Sequence, residues 1–257
     1  MNFSILSDWI NPIYLEESYI RLLQQTLKAK PEVKYLVLDN FFKTEKLDEL
    51  IRRHKNLNFS EKKDMYSHID GSLLPYDGAV KFMDKSDYGF DFLFSKQWTN
   101  YLKRLVSFKN KDRTDTVVKL RYHKPHAKGF WIHTDSIQWK IVCICYFNKD
   151  WKVSDGGLLQ LWRPDECTLE TALKVSPSTD SKMEFLSENI RLNTAEVGGR
   201  FPDGDDRDNI DFVLIDQIIP AYNRVFICNT EKNYGYHSVT PSNERERTGF
   251  VQWIGKE

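Results

Sequence analysis

The sequence has little cysteine, no long apolar run and no excess charge of either sign. Its 4 cysteines have neither the paired Cys-x-x-Cys spacing of a zinc site nor the density of a disulfide framework, which favours small buried thiols. Basic and acidic residues balance at 37 each, so no field of one sign indicates binding to nucleic acid or to an anionic membrane. The longest purely apolar stretch, 141–147, is too short to cross a bilayer.

The first residues also lack the basic segment and apolar run of a secretory signal. We therefore expect a soluble cytoplasmic protein with no membrane or nucleic-acid partner. A chain of 257 residues suits one domain, which at this size buries roughly three quarters of the surface of its unfolded chain. We predict a single domain over 1–257.

Apolar periodicity divides the chain into a helical first part and a β-rich second part. Three-and-four spacing predicts helices over 14–29, from an N-cap at Thr44 to His54, and over 90–105, with a strand at 35–39. Short apolar runs between turn residues predict later strands at about 116–123, 129–135, 138–148, 157–162, 212–218, 223–229 and 246–254. The order predicts a mainly β protein with flanking α-helices, in which a jelly-roll-like barrel over 115–257 is braced by helices and first strands within 1–114.

A long polar insertion, 163–211, interrupts the β-rich part. Its acidic run at 203–209 lacks the glycine and glutamate spacing of an EF-hand, which favours a solvated loop over a calcium site. Loops of this length in a compact domain are usually functional or disordered. Both a lid and a plain disordered segment therefore stay open.

The residue pattern richest in chemistry is His133-x-Asp135, followed by the isolated His237. Side chains two apart on a strand share a face, so the imidazole of His133 and the carboxylate of Asp135 can contact one ion. A histidine from a distant strand would complete the facial triad of two histidines and one carboxylate that is typical of non-haem Fe(II) oxygenases. The His-x-Asp triplet alone is a weak signal in a chain with 6 histidines.

The order of the surrounding motifs is more specific than the triplet. These motifs are Arg121-Tyr122, Tyr146–Trp151, Gly156–Leu159, Pro220–Phe226, His237–Pro241 and Arg247–Trp253. Their order resembles the prolyl-hydroxylase-like branch of the 2-oxoglutarate- and Fe(II)-dependent oxygenases over roughly 115–254, with a weaker echo at 35–42. The resemblance implies a double-stranded β-helix, a jelly-roll or cupin-like barrel. It also implies catalytic Fe(II) bound by His133, Asp135 and His237, with 2-oxoglutarate as co-substrate, O2 as oxidant and ascorbate as an optional reductant.

The resemblance further indicates which residues bind 2-oxoglutarate. Arg247 matches the family's last-strand pattern, and an arginine grips a carboxylate through two parallel hydrogen bonds; Arg245 has the same strand parity and stays an alternative. Tyr146 matches the position whose hydroxyl touches the same carboxylate. Tyr122 and Thr248 are further candidates, although Tyr122 fits a core aromatic equally well.

Two nearby histidines, His123 and His126, could in principle form a zinc site with His133. Pro125 breaks any helix that would align them, so we expect them in a loop near the mouth of the site. Trp131, Trp139 and Trp151 are expected to be packing residues rather than substrate platforms.

The substrate is less well specified than the reaction. The resemblance implies hydroxylation of an unactivated C–H bond in a prolyl or other residue of a peptide or protein, and a free amino acid or small metabolite is the alternative. Phe130 stands where the oxygen-sensing prolyl hydroxylases carry a tyrosine, which weakens the case for proline, whereas Asp135 argues against a halogenase. A non-catalytic cupin-like metal-binding or interaction barrel and a metal-free β-sandwich stay open as rival classes.

Overall fold

The computed structural model describes residues 4–31, 33–56, 60–61, 65–67, 73–75, 78–87, 89–108, 114–133, 135, 139–164, 212–230 and 235–256. Most of the predicted insertion, 165–211, lies outside these described residues. The lid and the disordered-loop alternatives, the acidic run at 203–209 and Cys167 fall on that part of the chain.

The helices are amphipathic segments whose apolar faces are buried. They are α1 (Ser4–Trp9), α2 (Glu17–Ala29), α3 (Thr44–Lys55) and α4 (Lys96–Leu105), with short 3-10 turns at Pro12–Leu15, Asp91–Phe94 and Val153–Asp155. The single helix predicted over 90–105 is broken at Ser95, whose extended backbone lets its hydroxyl accept the Trp98 N–H at 3.1 Å as an N-cap. The predicted cap Thr44 is instead the first helical residue, and α1 was not predicted.

Thirteen strands are present in the described part of the chain. They are β1 (Tyr35–Leu38), β2 (Ser60–Glu61), β3 (Met65–Ser67), β4 (Leu73–Pro75), β5 (Gly78–Met83), β6 (Thr114–His123), β7 (Phe130–His133), β8 (Trp139–Tyr146), β9 (Leu159–Pro164), β10 (Phe212–Ile218), β11 (Val225–Asn229), β12 (His237–Val239) and β13 (Arg247–Lys256). Every strand predicted from the sequence is present. Sequence reasoning missed β2 to β5 and β12. The strands β2, β3, β4 and β12 have only two or three residues, too few to show periodicity, whereas β5 has six.

Two antiparallel sheets face each other. In the described residues a major sheet has the order β1-β11-β8-β13-β6-β5-β2, and a minor sheet has the order β10-β9-β12-β7. The strand β13 is central to the major sheet because it pairs with β6 over its whole length and with β8 on its other side. The chain is mainly β with flanking helices, as predicted.

The two faces of the major sheet bury different clusters. One face packs on the helices, where Cys143 and Phe250 meet Trp98 and Leu102. The opposite face, called here the inner face, packs against the minor sheet through residues such as Tyr146 and Phe226. Because successive strand residues point to opposite faces, the inner face of β13 carries Arg247, Gly249, Val251 and Trp253.

Buried polar contacts fix the helical layer to the major sheet. Trp98 Nε1 donates to Gln252 Oε1 at 2.7 Å, and Gln252 Nε2 donates to the carbonyl of Leu93 at 2.8 Å. Gln252 is fully buried, so its satisfied amide specifies one docking position for α4. The cysteines Cys143, Cys145 and Cys228 are buried free thiols, as expected. In the described part of the chain, no helix combines the length and apolar character needed to span a membrane.

Candidate metal and co-substrate site

The three predicted metal ligands come together at the minor sheet. His133 on β7 is directly opposite His237 on β12 in the strand register, and their ring centroids are 4.3 Å apart. Asp135 follows β7 by two residues. One potential ligand atom from each of the three side chains lies within 4.8 Å of the others, so one ion can bind all three.

Hydrogen bonds orient two of these side chains. His237 Nδ1 lies 2.8 Å from the carbonyl of Gly235, so with that nitrogen protonated Nε2 has a lone pair for a metal. Trp253 Nε1 donates to Asp135 Oδ2 at 2.7 Å, which leaves Oδ1 available. Burial by itself raises the pKa of Asp135, but His237, His133 and the Trp253 hydrogen bond together hold it below its usual range. The donor set of two imidazoles and one ionised carboxylate suits a divalent transition metal such as Fe(II).

A second group of polar side chains lies on the inner face of the major sheet. Arg247 is only 7% exposed, and its guanidinium carbon is 5.2 Å from the ring centroid of Tyr146. The side chains of Arg247 and Tyr146 interact with each other, but neither the buried Arg247 Nε nor the buried Tyr146 hydroxyl makes a hydrogen bond of normal geometry in the described structure. Burial raises the pKa of Tyr146, so its hydroxyl is a neutral donor. Buried unsatisfied donors are costly, and these two together are complementary to a carboxylate.

His123 supports this arginine. Its Nε2 is 3.2 Å from Arg247 Nη1, and burial together with the charges of Arg247 and Arg121 lowers the pKa of His123 well below its ordinary value. The imidazole is therefore neutral and accepts the arginine's hydrogen bond. The prediction of a loop position was wrong for His123, which ends β6 and is buried. His126 does lie in an exposed turn, and among the described residues neither histidine joins a cluster of metal ligands.

The alternative arginine, Arg245, binds elsewhere. Its guanidinium donates to the carbonyls of Asp150 and Lys149 at 2.7 and 2.6 Å and to the carboxylate of Asp155 at 3.1 Å, and it lies over the Trp151 ring. These contacts fix Arg245 to the 149–155 loop. The structure thus brings Arg247, rather than Arg245, to Tyr146.

Tyr122 and Thr248 do not join this group. The Tyr122 hydroxyl donates to Glu246 Oε1 at 2.7 Å, and Thr248 bonds through its N–H to Asn148 Oδ1 at 2.8 Å. In the strand register the Tyr122–Thr248 pair is adjacent to the His123–Arg247 pair. Tyr122 and Thr248 therefore point to the opposite, helix-facing side of the sheet. This orientation does not support the predicted roles of Tyr122 and Thr248 in 2-oxoglutarate binding, which rested on motif position.

Strand alternation was also the signal that could have found the missed residues. On β6, Arg121 and His123 share a face, and on β13 Trp253 shares the face of Arg247. The Gly156-Gly157 motif has a packing role as well. Gly157 has φ +62°, and a Cβ there would lie 2.9 Å from Arg247 Cδ, so glycine allows the arginine side chain to pass.

The aromatic residues around the site are packed. Phe130 is buried between His123 and His133, with ring centroids 5.6 and 6.1 Å away. Trp139 packs against the inner-face cluster that includes Trp253, and Trp151 is 7% exposed with its Nε1 bonded to the Gly156 carbonyl. The packing predictions for Trp139 and Trp151 are confirmed; the side chain of Trp131 lies outside the described structure.

Comparison with known proteins shows likeness in fold rather than in sequence. No model of a known protein family matches the chain, and no curated protein sequence is significantly similar to it. A prolyl-4-hydroxylase from Pseudomonas putida superposes with a TM-score of 0.53 at 13% identity, covering 93% of this chain and 99% of its own. A prolyl hydroxylase from Trichoplax adhaerens, solved with a peptide fragment of the hypoxia inducible factor oxygen degradation domain, gives 0.54 at 13% identity, covering 100% and 94%.

A third similar structure contains a small molecule. HygX from Streptomyces hygroscopicus, solved with nickel, 2-oxoglutarate and hygromycin B, gives a TM-score of 0.53 at 8% identity, covering 91% of this chain and 87% of its own. At such identities the likeness establishes the fold. The chain therefore has the double-stranded β-helix fold that these oxygenase structures share.

Proposed function

We propose that this chain is a single-domain 2-oxoglutarate- and Fe(II)-dependent dioxygenase that hydroxylates an unactivated C–H bond. The observation that carries the proposal is the pairing of two complementary sites between the sheets. One is the facial group His133, Asp135 and His237, and the other is the buried pair of Arg247 and Tyr146, which interact with each other but keep donors that make no hydrogen bond of normal geometry in the described structure. A barrel that only bound a metal or a partner would have no need of the second site.

In this proposal, different residues bind the metal and the co-substrate. His133, Asp135 and His237 would bind Fe(II), and Arg247 with Tyr146 would bind the distal carboxylate of 2-oxoglutarate through charge-assisted hydrogen bonds. When bound, iron and 2-oxoglutarate supply the oxidation of a C–H bond by O2, with release of succinate and carbon dioxide. The neutral His123 keeps the Arg247 fork in place, and Trp253 keeps Asp135 oriented.

The substrate is proposed to be a prolyl or other residue in a peptide. The Trichoplax adhaerens structure, which has the same fold and contains a peptide, supports this choice. HygX, with hygromycin B bound, supports the alternative of a small molecule. Ascorbate is proposed only as a reductant that keeps the iron as Fe(II).

Anaerobic titration of the metal-free protein with Fe(II) and then 2-oxoglutarate tests the reaction class. A weak visible metal-to-ligand band is expected only after both have been added, because it requires 2-oxoglutarate bound to the iron. A protein that binds Fe(II) tightly but gives no band with 2-oxoglutarate is the non-catalytic barrel. Failure to bind Fe(II) at all would favour the metal-free interaction module.

The metal ligands are tested one at a time. His133→Ala, Asp135→Ala and His237→Ala should each abolish succinate formation while the circular dichroism spectrum keeps its β-sheet shape, because the large core, rather than the metal, stabilises the fold. His126→Ala, an exposed histidine outside the site, is the matched control and should keep full turnover. Normal turnover in any ligand variant removes that residue from the proposed triad.

A further inference from the structure

Arg121 is a second inner-face arginine to which the proposed reaction assigns no role. It stands on β6 opposite Gly249 of β13 and Val80 of β5, two residues before His123. Its guanidinium carbon lies 5.4 Å from the ring centroid of Trp253, the same indole that donates to Asp135. The side chain therefore points along the sheet toward the metal ligands.

The Arg121 guanidinium has no anionic partner in the described part of the chain. Its Nε is buried without a hydrogen-bond partner, and no ion pair involves this side chain among the described residues. Asp135 acts on it electrostatically, but that carboxylate is engaged by Trp253 and by the proposed metal. The backbone of Arg121 is fixed, since its carbonyl lies 3.3 Å from Nε2 of the buried His54 on α3.

Charge balance makes this arginine notable. In the proposed complex, the charges of Fe(II), Asp135, doubly ionised 2-oxoglutarate and Arg247 cancel. Among the described residues Arg121 then remains as a cation without a compensating charge beside the proposed metal ligands, and a half-buried charge of this kind is unfavourable. An anionic group on a bound substrate would compensate it.

The neighbouring side chains extend this recognition surface. Lys119 stands two residues earlier on the same face, with Nζ 5.0 Å from the Trp253 centroid and 4.6 Å from that of Phe82. Phe82 is 58% exposed, so its ring is accessible from solvent. The surface thus combines positive charge with an accessible apolar ring, which suits a ligand that has a carboxylate next to an apolar part.

We propose that Arg121 determines substrate choice by binding a carboxylate of the substrate, so that the preferred substrate carries this group close to the carbon that is hydroxylated. The planar guanidinium can hold a carboxylate through two parallel hydrogen bonds, while Trp253 limits its movement from one side. This inference rests on the proposed oxygenase function. The carboxylate can belong to a free amino acid or to an acidic side chain of a peptide, and the test separates the two.

The test compares matched ligands that differ only in charge. The probes are the free L-amino acids against their carboxamides, and peptides with Asp or Glu against the same peptides with Asn or Gln. Two readouts are used: succinate formation above the substrate-free rate in the Fe(II) enzyme, and ligand binding by calorimetry to the Mn(II) and 2-oxoglutarate form under argon. Wild-type protein should favour the carboxylate member of one ligand series by at least about tenfold in both readouts, and that series identifies the carboxylate's source.

The variants assign the preference to one side chain. Arg121→Gln should reduce the carboxylate-to-amide ratio to about one, and Arg121→Lys should restore part of it because lysine keeps the charge without the fork. Arg245→Gln is the matched control, since that arginine is bound to the 149–155 loop, and it should keep the wild-type ratio.

Two results would overturn the assignment. One is wild-type protein that binds and turns over amides as well as carboxylates. The other is an Arg121→Gln variant that keeps the preference for carboxylates; if its requirement for 2-oxoglutarate also rises, Arg121 acts on the co-substrate instead. Failure of the oxygenase proposal itself is recognised separately, because the visible band with Fe(II) and 2-oxoglutarate would then be absent in wild-type protein.

Discussion

Replacement of Arg247 tests the co-substrate site most directly. In the folded protein this arginine is 7% exposed, its Nη1 is bonded to His123 and its Nε has no partner. Arg247→Ala would leave the distal carboxylate of 2-oxoglutarate buried with only the Tyr146 hydroxyl to contact. Breaking one side of a buried charge pair costs about 2–5 kcal/mol, which corresponds to about 30-fold to several-thousand-fold in affinity.

The assay is the dependence of succinate formation on 2-oxoglutarate concentration, with Fe(II) affinity measured separately without co-substrate. Arg247→Ala should raise the 2-oxoglutarate requirement at least about 30-fold with Fe(II) affinity nearly unchanged, because the histidine ligands come from the minor sheet. Arg247→Lys should recover part of the loss, since lysine keeps the charge but not the planar fork.

Arg245→Ala is the matched control. Its guanidinium is engaged by the Lys149 and Asp150 carbonyls and by Asp155, so the 2-oxoglutarate requirement should change only a few-fold. The opposite ranking, with Arg245 critical and Arg247 tolerant, would refute the strand register on which the site is built. If neither variant changes the requirement, 2-oxoglutarate does not bind here.

Three further substitutions probe the neighbours of the site. His123→Phe removes the acceptor of the Arg247 guanidinium, and an unsatisfied buried donor costs about 1–3 kcal/mol. The 2-oxoglutarate requirement should therefore rise about 5- to 150-fold, and His123→Asn should restore part of the affinity. Trp253→Phe should weaken Fe(II) affinity about 10- to 100-fold, since the partner that orients Asp135 is lost. Burial lowers the pKa of His54 to about 4 in the folded protein. As the pH falls, His54 is therefore protonated in the unfolded chain before it is protonated in the folded protein. The free energy of unfolding should therefore decrease between about pH 6.5 and pH 4, by about 3 kcal/mol for this group, and His54→Leu should flatten that slope relative to His126→Leu.

Each of these expectations has a result that contradicts it. An unchanged 2-oxoglutarate requirement in His123→Phe would mean that Arg247 needs no acceptor. Normal iron affinity in Trp253→Phe, measured by competition with a chelator, would make the indole hydrogen bond dispensable. If the free energy of unfolding depends on pH in the same way in the His54→Leu and His126→Leu proteins, the pKa of His54 is not lowered in the folded protein.

The proximity of the three proposed metal ligands could be predicted because their sequence signal is local in part. Two ligands two apart on a strand share a face whatever the tertiary structure, and the motif order supplied His237. The register that places His237 opposite His133 could not be predicted, because β12 has three residues and too few side chains to show periodicity. Its position depends on pairing with β7 and β9.

The co-substrate site was predicted less completely. The motif spacing indicates Arg247 and Tyr146. It does not show that Tyr122 and Thr248 lie on the opposite face of the sheet. His123 was mistaken for a loop residue because Pro125 suggested an earlier turn, although the strand continues to His123 itself. A buried histidine that accepts a hydrogen bond from an arginine has no sequence signature of its own, since its neutrality arises from burial and from the neighbouring charges of Arg247 and Arg121.

The place of β7 in the minor sheet has a consequence for the metal-free protein. Among the described strands, β7 is the terminal strand of that sheet, four residues long, and its register with β12 is irregular. Terminal strands are the parts of a sheet most prone to fray and to pair with other molecules. An ion held by His133 and His237 would cross-link the side chains of β7 and β12 and stabilise their pairing at the end of this sheet. Removal of the metal would then let β7 separate from β12 and expose the edge of β12 that it covers, so self-association in the presence of a chelator would accompany loss of turnover.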